Sequence, residues 1–377
     1  MRKSICIVHG NDLGIPNAGT NRVLALTRAL YENGFDVHLV IPRPSKKLPE
    51  DIKEVSIHTA PVEVKGTLNK IPRAILLLLR ARKVSKKYNS VVQIQLSTLG
   101  GIASIIGYRN YVLEMNDLAF ESPVYTDLPF SPIVRAGIYK MERSATIHAC
   151  KIIVVSKSLK NFLIKEWGVP EEKIEVIPNG YFRIKIDQLK KQNSSEIDDR
   201  MIVRTGSLFR HLDVDLLIRL SKSLGDEYKI YLVGDGELRQ YLEKRIGREG
   251  VKNIIITGWL PYEEAMKMTN RALITFDAVK RSLTTEVACP VKILDYAALG
   301  KPIVLSDVSD LSKTFKKRKA ALVSEPENKK EFIENVNVLL KNKEVRDRIA
   351  LAASNLVKDF TWEEAGKKLV RIYEELL

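Results

Sequence analysis

The feature that most constrains this chain is an alternation of short strand-like runs and helical repeats that occurs, in order, twice. Ile5 to Val8 is a strand-like run, and Asn11 to Gly19 is a loop of Asn, Gly and Pro. Val23, Leu24, Leu26, Thr27, Leu30 and Tyr31 then recur at helical spacing. Asn33-Gly34 stops that helix and Val37 to Ile41 is the next strand, which makes one βαβ unit. Runs at Val91–Ile94, Tyr111–Leu113, Ile152–Val155 and Ile174–Ile177 extend the series. Strands joined by helical crossovers require a parallel sheet with helices on both faces. A second series occupies Met201–Thr205, Lys229–Val233, Asn253–Ile256, Ala272–Phe276, Pro302–Leu305 and Ala321–Val323. A chain of 377 residues is too long for one ordinary core, so two α/β domains of about 180 residues each are expected. The polar segment Ile184 to Arg200 reads as the linker, extending into the first strand of the second domain. Thr361 to Leu377 reads as an amphipathic helix with Ala365, Leu369, Ile372 and Leu376 on one face.

Composition narrows the function classes. The 45% hydrophobic and 28% charged content belongs to a globular chain. No apolar run approaches the roughly 18 residues a spanning helix needs. The opening MRKSICIVHG passes straight into a strand pattern, so no signal peptide is expected and a cytoplasmic location is. Cys6, Cys150 and Cys289 are far apart and odd in number, which suggests buried thiols rather than disulfides or a zinc knuckle. The net charge is +15, and residues 1–183 hold 26 Lys and Arg against 16 Asp and Glu. A basic first half attracts a phosphorylated substrate, a lipid surface or a nucleic acid. No helix-turn-helix signature, aromatic RNA-binding pattern or zinc spacing accompanies the charge, so nucleic acid is not an expected partner.

Ligands of doubly wound sheets sit beyond the carboxyl ends of the strands, where loops meet helix N-termini, and two such domains leave a cleft between them. Three loops fit that position. Pro16 to Thr20 opens a helix, and Gly19 lets the backbone approach an anion; an ordinary βα turn is the alternative. Val233 to Leu238 follows a strand, with Gly234 and Gly236 permitting positive φ, for a sugar nucleotide or simply for a tight turn. Pro290 to Pro302 places Lys292 and Asp295 three apart on one helix face. A cation there neutralises a diphosphate leaving group together with the helix N-terminus, and a carboxylate one turn later accepts the hydrogen bonds of a ribose diol. The alternative is a surface ion pair between the two.

At these residues the chain resembles the family 4 retaining glycosyltransferases, which have the GT-B fold. NAGTNRVLALTRALYENGFDVHLV resembles the family's first glycine loop and helix. KIIVVSKSLKNFLIKEWGVPEEKIEVIPNGYF resembles the end of its N-terminal domain. RTGSLFRHLDVDLLIRL, YLVGDGEL and PVKILDYAALGKPIV resemble its donor-domain signatures, and FTWEEAGKKLVRIYEEL its C-terminal helix. The resemblance implies two Rossmann-like domains facing across a cleft: an acceptor-side domain over 1–183, a nucleotide-sugar domain over 184–360, and a helix over 361–377 that packs back on the first.

The same resemblance implies roles. Lys292 binds the donor diphosphate, with Arg210 sharing it. Ser207 stands where the family has an arginine. Gly19 approaches a donor phosphate or the acceptor, and Asp295 takes the place of the second Glu of the Glu-x7-Glu motif. The first Glu falls at Val287, with Glu286 one position off. Val291, Gly234 and Gly236 line the donor site, and Leu260, in the loop from Gly258, meets the nucleobase. Asn116 and Asp117 stand where the family often has His-Asp and contact acceptor or sugar hydroxyls, unless they are a structural pair at a strand end. The implied reaction moves a hexose-type sugar from a nucleotide-diphosphate sugar to a glycan, lipid or lipid-linked acceptor, with retention, no metal and no cofactor beyond the donor. An epimerase or phosphorylase of the same fold is the alternative, and a non-catalytic or nucleic-acid-binding protein a remoter one.

Leu68 to Tyr88, LNKIPRAILLLLRARKVSKKY, holds seven basic residues and no acidic one around an apolar stretch from Ile75 to Leu79. Such a segment lies on an anionic membrane surface or is a helix with a solvated basic face. On the first reading the protein is peripheral at the inner face of a membrane and its acceptor is membrane-borne.

Overall fold

A computed structural model describes residues 3–48, 52–63, 70–122, 130–192 and 197–377. The chain divides into two compact units: Met1–Asn179 with Trp362–Leu377, and Gly180–Thr361.

The first unit carries a sheet of seven strands: β1 (Ser4–Val8), β2 (Asp36–Arg43), β3 (Ser56–Glu63), β4 (Val91–Gln95), β5 (Tyr111–Met115), β6 (Ala149–Val154) and β7 (Ile174–Val176). Their order is β3-β2-β1-β4-β5-β6-β7, and each paired neighbour is parallel. β1 and β5 are buried along their whole length, as strands covered on both faces must be. The strand order reverses between β1 and β4, which makes their carboxyl ends the switch point of this sheet. β3 has no counterpart in the sequence reading, because His58, Pro61 and Glu63 interrupt the apolar pattern of SIHTAPVE.

The helix Trp362–Leu376 belongs to this unit. Gly366 packs so closely on Ala29 of the helix Ala18–Glu32 that a side chain there would collide with it. Its buried face holds Trp362, Ala365, Leu369, Ile372 and Tyr373; Leu376 is exposed, one turn beyond the packed stretch. Tyr373 Oη donates to Gln93 Oε1 at 2.8 Å, and Gln93 Nε2 donates to Glu114 Oε2 at 2.6 Å. Arg22 Nε closes the network on Glu114 Oε1 at 2.6 Å, both residues being fully buried.

The second unit carries six strands: β8 (Asp198–Thr205), β9 (Lys229–Val233), β10 (Ile254–Gly258), β11 (Ala272–Asp277), β12 (Ile303–Ser306) and β13 (Leu322–Ser324). Their order is β10-β9-β8-β11-β12-β13, again with parallel pairing and with the reversal between β8 and β11. The first part of the segment read as a linker is instead a helix over Arg183–Gln192, while its end runs, as read, into the first strand of this unit, β8 from Asp198. Ile186 and Leu189 anchor that helix in the core beside Ile293 and Tyr296, which a count of its many polar residues conceals. Among the described residues no helix is long and apolar enough to cross a membrane.

Candidate active site

Three charged side chains meet at the switch point of the second unit. Arg204 lies near the end of β8 and is fully buried; its Nε donates to Asp277 Oδ1 at 3.0 Å. Asp277 closes β11, the neighbouring strand. Lys292, the second residue of the helix Val291–Ala298, donates through Nζ to the same Oδ1 at 2.8 Å. Two cations therefore share one carboxylate, and the cluster keeps a net positive charge.

The electrostatics follow from that crowding. Burial alone would raise the Asp277 pKa, but the fields of Lys292 and Arg204 and the Lys292 hydrogen bond hold it below its ordinary value. Burial and the Arg204 charge pull Lys292 down to about 8, against the pull of Asp277. The ring of His211 is pushed down to about 4 by burial and then by Lys292 and Arg204, so it is neutral at physiological pH. Pro290 caps the helix without a side-chain hydrogen bond, which leaves its first N–H groups to other partners.

Two loops frame the cluster. Gly206 N–H donates to Val233 O at 2.9 Å, Leu208 N–H to Asp235 O at 3.0 Å, and Leu238 N–H to Leu208 O at 2.9 Å. The backbones are so close that a side chain on Gly234 would meet the Gly206 carbonyl, and one on Gly236 the Leu208 backbone. Gly234 does adopt a positive φ of 153°, but Gly236 does not, so space rather than φ demands the second glycine. Arg204 Nη1 reaches the carbonyls of Gly206 and Ser207 at 3.5 and 3.4 Å, and its Nη2 is buried without a partner among the described residues. The Lys292 ammonium lies against Gly206.

Ser207 is exposed in the first loop. Arg210, half-exposed, donates from its backbone N–H to Glu237 Oε1 at 2.9 Å and faces the same oxygen with Nε at 3.4 Å. Leu260 is half-buried against the core, while Trp259 beside it is exposed. Val291 is half-buried at the helix start. Glu286 lies on the short helix Leu283–Val287, 3.7 Å from Arg281, and Val287 is buried. Asp295 forms no ion pair with Lys292. It is buried, accepts from Tyr262 Oη at 2.9 Å through Oδ1, and burial raises its pKa to about 7 against that hydrogen bond. The i,i+3 surface pair is thus replaced by two separate buried partnerships.

Gly19, Asn116 and Asp117 belong to the first unit. Gly19 sits in the first turn of the helix Ala18–Glu32, where Asn17 Oδ1 accepts the Thr20 N–H at 2.9 Å. Asn116 and Asp117 follow β5 directly; Asn116 is half-buried and Asp117 exposed. Below them lies Glu142, fully buried on the helix Ser131–His148. It accepts the N–H groups of Ala119 and Phe120, each at 2.9 Å, and the hydroxyl of Ser97. Burial raises Glu142 to about 7, against those three hydrogen bonds.

Sequence reasoning missed Arg204, Asp277 and Glu142. A signal existed for the first two. Arg204 is a lone charge in the run MIVRT just before a glycine, and Asp277 ends the apolar run ALITF. A charge in a strand buried on both faces needs a partner. Among the described residues no group of three or more His, Cys, Asp and Glu could hold a metal ion.

Residues 19–181 match the model of glycosyltransferase family 4, and residues 185–355 that of glycosyl transferases group 1. The chain belongs to the family 4 glycosyltransferases. This family 4 member is 26% identical over 252 residues to the uncharacterized glycosyltransferase MJ1607 of Methanocaldococcus jannaschii, a match spanning 63% of each chain. Less than two thirds of that relative's length is therefore matched. The GT-B fold is shared with sucrose-phosphate synthase from Thermosynechococcus elongatus, at TM-score 0.79 and 14% identity, covering 100% and 99% of the two chains. It is shared also with Anabaena Alr3699/HepE in complex with UDP-glucose, at TM-score 0.70 and 15% identity over 99% of each.

Proposed function

We propose that this family 4 member transfers a hexose-type sugar from a nucleotide-diphosphate sugar to a glycan, lipid or lipid-linked acceptor, with retention at the anomeric carbon and without a metal ion. The observation that carries the reading is the buried cluster of Arg204, Asp277 and Lys292 at the start of the helix Val291–Ala298. When the bond from the anomeric carbon to the phosphate oxygen breaks, negative charge grows on the departing diphosphate. A preorganised ammonium and a helix N-terminus stabilise that charge without reorganising, an effect on the order of several kcal/mol. Asp277 holds the Lys292 ammonium in place, and Arg204 holds both Asp277 and the carbonyls of the glycine loop. The acceptor hydroxyl attacks the face that the leaving group vacates. Its oxygen bonds to the anomeric carbon and its proton passes to the leaving diphosphate oxygen. The fold shared with an Anabaena protein solved with UDP-glucose supports a nucleotide-sugar donor.

The acceptor is membrane-borne on this reading. Residues 68 and 69 of the basic segment lie outside the described residues, and Lys70–Tyr88 is a helix. Its core side holds Leu77, Leu78, Ala81 and Val84. Ile71, Leu76 and Leu79 are exposed on the same helix as the exposed Arg80, Lys83, Lys86 and Lys87. Apolar side chains beside a basic stripe suit insertion among anionic headgroups.

Incubation with nucleotide sugars and an extract of lipid-linked and glycan acceptors tests the reaction. Sugar-dependent release of nucleoside diphosphate, with a product of unchanged anomeric configuration by NMR, is the expected outcome. Conversion of the donor to its epimer in the absence of acceptor would establish the epimerase instead.

A further inference from the structure

A pocket of about 120 Å³ opens beside Lys292, Asp277 and His211 in the second unit. That is far more than the ~10–15 Å³ one water needs. Away from the charged end its wall is apolar: Val279, Ala288, Pro290, Leu305 and Val308 line it. Of the hydroxyls on the wall, those of Ser306, Ser309 and Thr285 already accept bonds within the fold, and Thr284 carries the other. Ser306 Oγ accepts the Val279 N–H at 3.1 Å, and Ser309 Oγ accepts the Ser312 N–H at 3.3 Å. Thr285 Oγ1 accepts the Ser282 N–H at 2.9 Å, within the capping box of the short helix Leu283–Val287. The position at which the family resemblance implies a carboxylate for sugar hydroxyls is Val287, which is buried, and the carboxylate of neighbouring Glu286 stands near Arg281.

A sugar hydroxyl entering this pocket would leave water for a wall with few uncommitted polar atoms, whereas a methyl group would lose nothing and gain contacts. We propose that the pocket receives a methyl-bearing substituent of the donor sugar, as a 6-deoxy or a 2-acetamido hexose supplies. The inference rests on the nucleotide-sugar reading given above. Because the charged end of the pocket is the Lys292–Asp277 pair, a sugar whose diphosphate is held by Lys292 is the part of the donor that can reach the apolar wall.

The test uses the whole chain and matched donors on one nucleotide: the hexose, its 6-deoxy form and its 2-acetamido form, with bare nucleoside diphosphate as control. One of the two methyl-bearing donors is expected to exceed the plain hexose in kcat/KM by tenfold to a hundredfold, the range over which apolar pockets discriminate. Which of them does so identifies the substituent. Ala288→Leu, or the milder Ala288→Val if the first lowers the melting temperature, fills the pocket and is expected to bring the ratio close to one. Binding of nucleoside diphosphate with a plain hexose accepted within about threefold of both methyl-bearing donors would overturn this inference and leave the glycosyltransferase reading standing. Failure of every nucleoside diphosphate and nucleotide sugar to bind would overturn both.

Discussion

Lys292 Nζ lies 2.8 Å from Asp277 Oδ1, fifteen residues back along the chain, and not against Asp295 one helical turn on. The pairing turns a surface charge into a held one. A flexible lysine must be ordered before it can stabilise a departing group, and here Asp277 orders it in advance. The same arrangement gives the lysine a pKa within reach of ordinary buffers.

Lys292 titrates at about 8 in the unliganded protein, because burial and Arg204 outweigh Asp277. The ammonium that attracts a diphosphate is present below that pH and lost above it. Affinity for a nucleoside diphosphate should be flat from pH 6 to about 7.5 and then fall by up to tenfold per pH unit. Lys292→Arg keeps its charge at every accessible pH, so its binding should stay level to about pH 10. Titration calorimetry across the range checks both curves.

Glu142 supplies a second pH effect, on stability. Its carboxyl is raised from the ordinary 4.5 to about 7 by burial, so the folded state holds the proton that the unfolded chain releases. The resulting stabilisation is complete below about 4.5 and lost as the pH rises to about 7. Glu142→Gln has no proton to lose. The stability of the wild type relative to this variant should therefore drop by up to about 3 kcal/mol between pH 4.5 and 7.5. Denaturant titrations at the two pH values give the difference directly, and an unchanged gap would show that Glu142 is ionised throughout.

The fully buried Arg22–Glu114 pair gives a prediction on stability. Arg22→Met takes the cation from buried Glu114, whose other hydrogen-bond partners are Gln93 and Gln95, and should cost about 3–5 kcal/mol. The double variant Arg22→Met, Glu114→Leu removes the stranded carboxyl group and should recover most of the loss, as a double-mutant cycle in denaturant measures.

Sedimentation with vesicles tests the basic helix. Vesicles rich in phosphatidylglycerol should carry the protein down, and neutral ones should not. Lys83→Glu with Lys86→Glu should weaken the association about tenfold or more, at ~1 kcal/mol per basic residue near such a surface. Equal binding to neutral and anionic vesicles would remove the electrostatic part of the reading.

Most strands and the parallel character of both sheets were legible because a strand buried on both faces is written as a continuous apolar run, as in SICIV or ALITFD. Ser56–Glu63 was not, since it pairs at the sheet edge and needs no such run. The helix Arg183–Gln192 was not, since two anchoring side chains, Ile186 and Leu189, suffice to hold it. In the candidate site, Lys292 and the glycine loops could be found from local pattern. The partner of Lys292 could not, because β11 and the helix Val291–Ala298 are brought together by the sheet and not by spacing in the chain. Glu142 shows the same limit: it serves a loop more than twenty residues earlier in the sequence.

Lys292, seated by Asp277, is proposed to hold the donor diphosphate. Calorimetric titration of the wild type and Lys292→Ala with a nucleoside and its diphosphate, at pH 7, tests it most directly. The wild type should bind the diphosphate at least tenfold more tightly than the nucleoside, and Lys292→Ala should lose most of that preference while melting normally. A properly folded Lys292→Ala that binds the diphosphate as tightly as the wild type would contradict it.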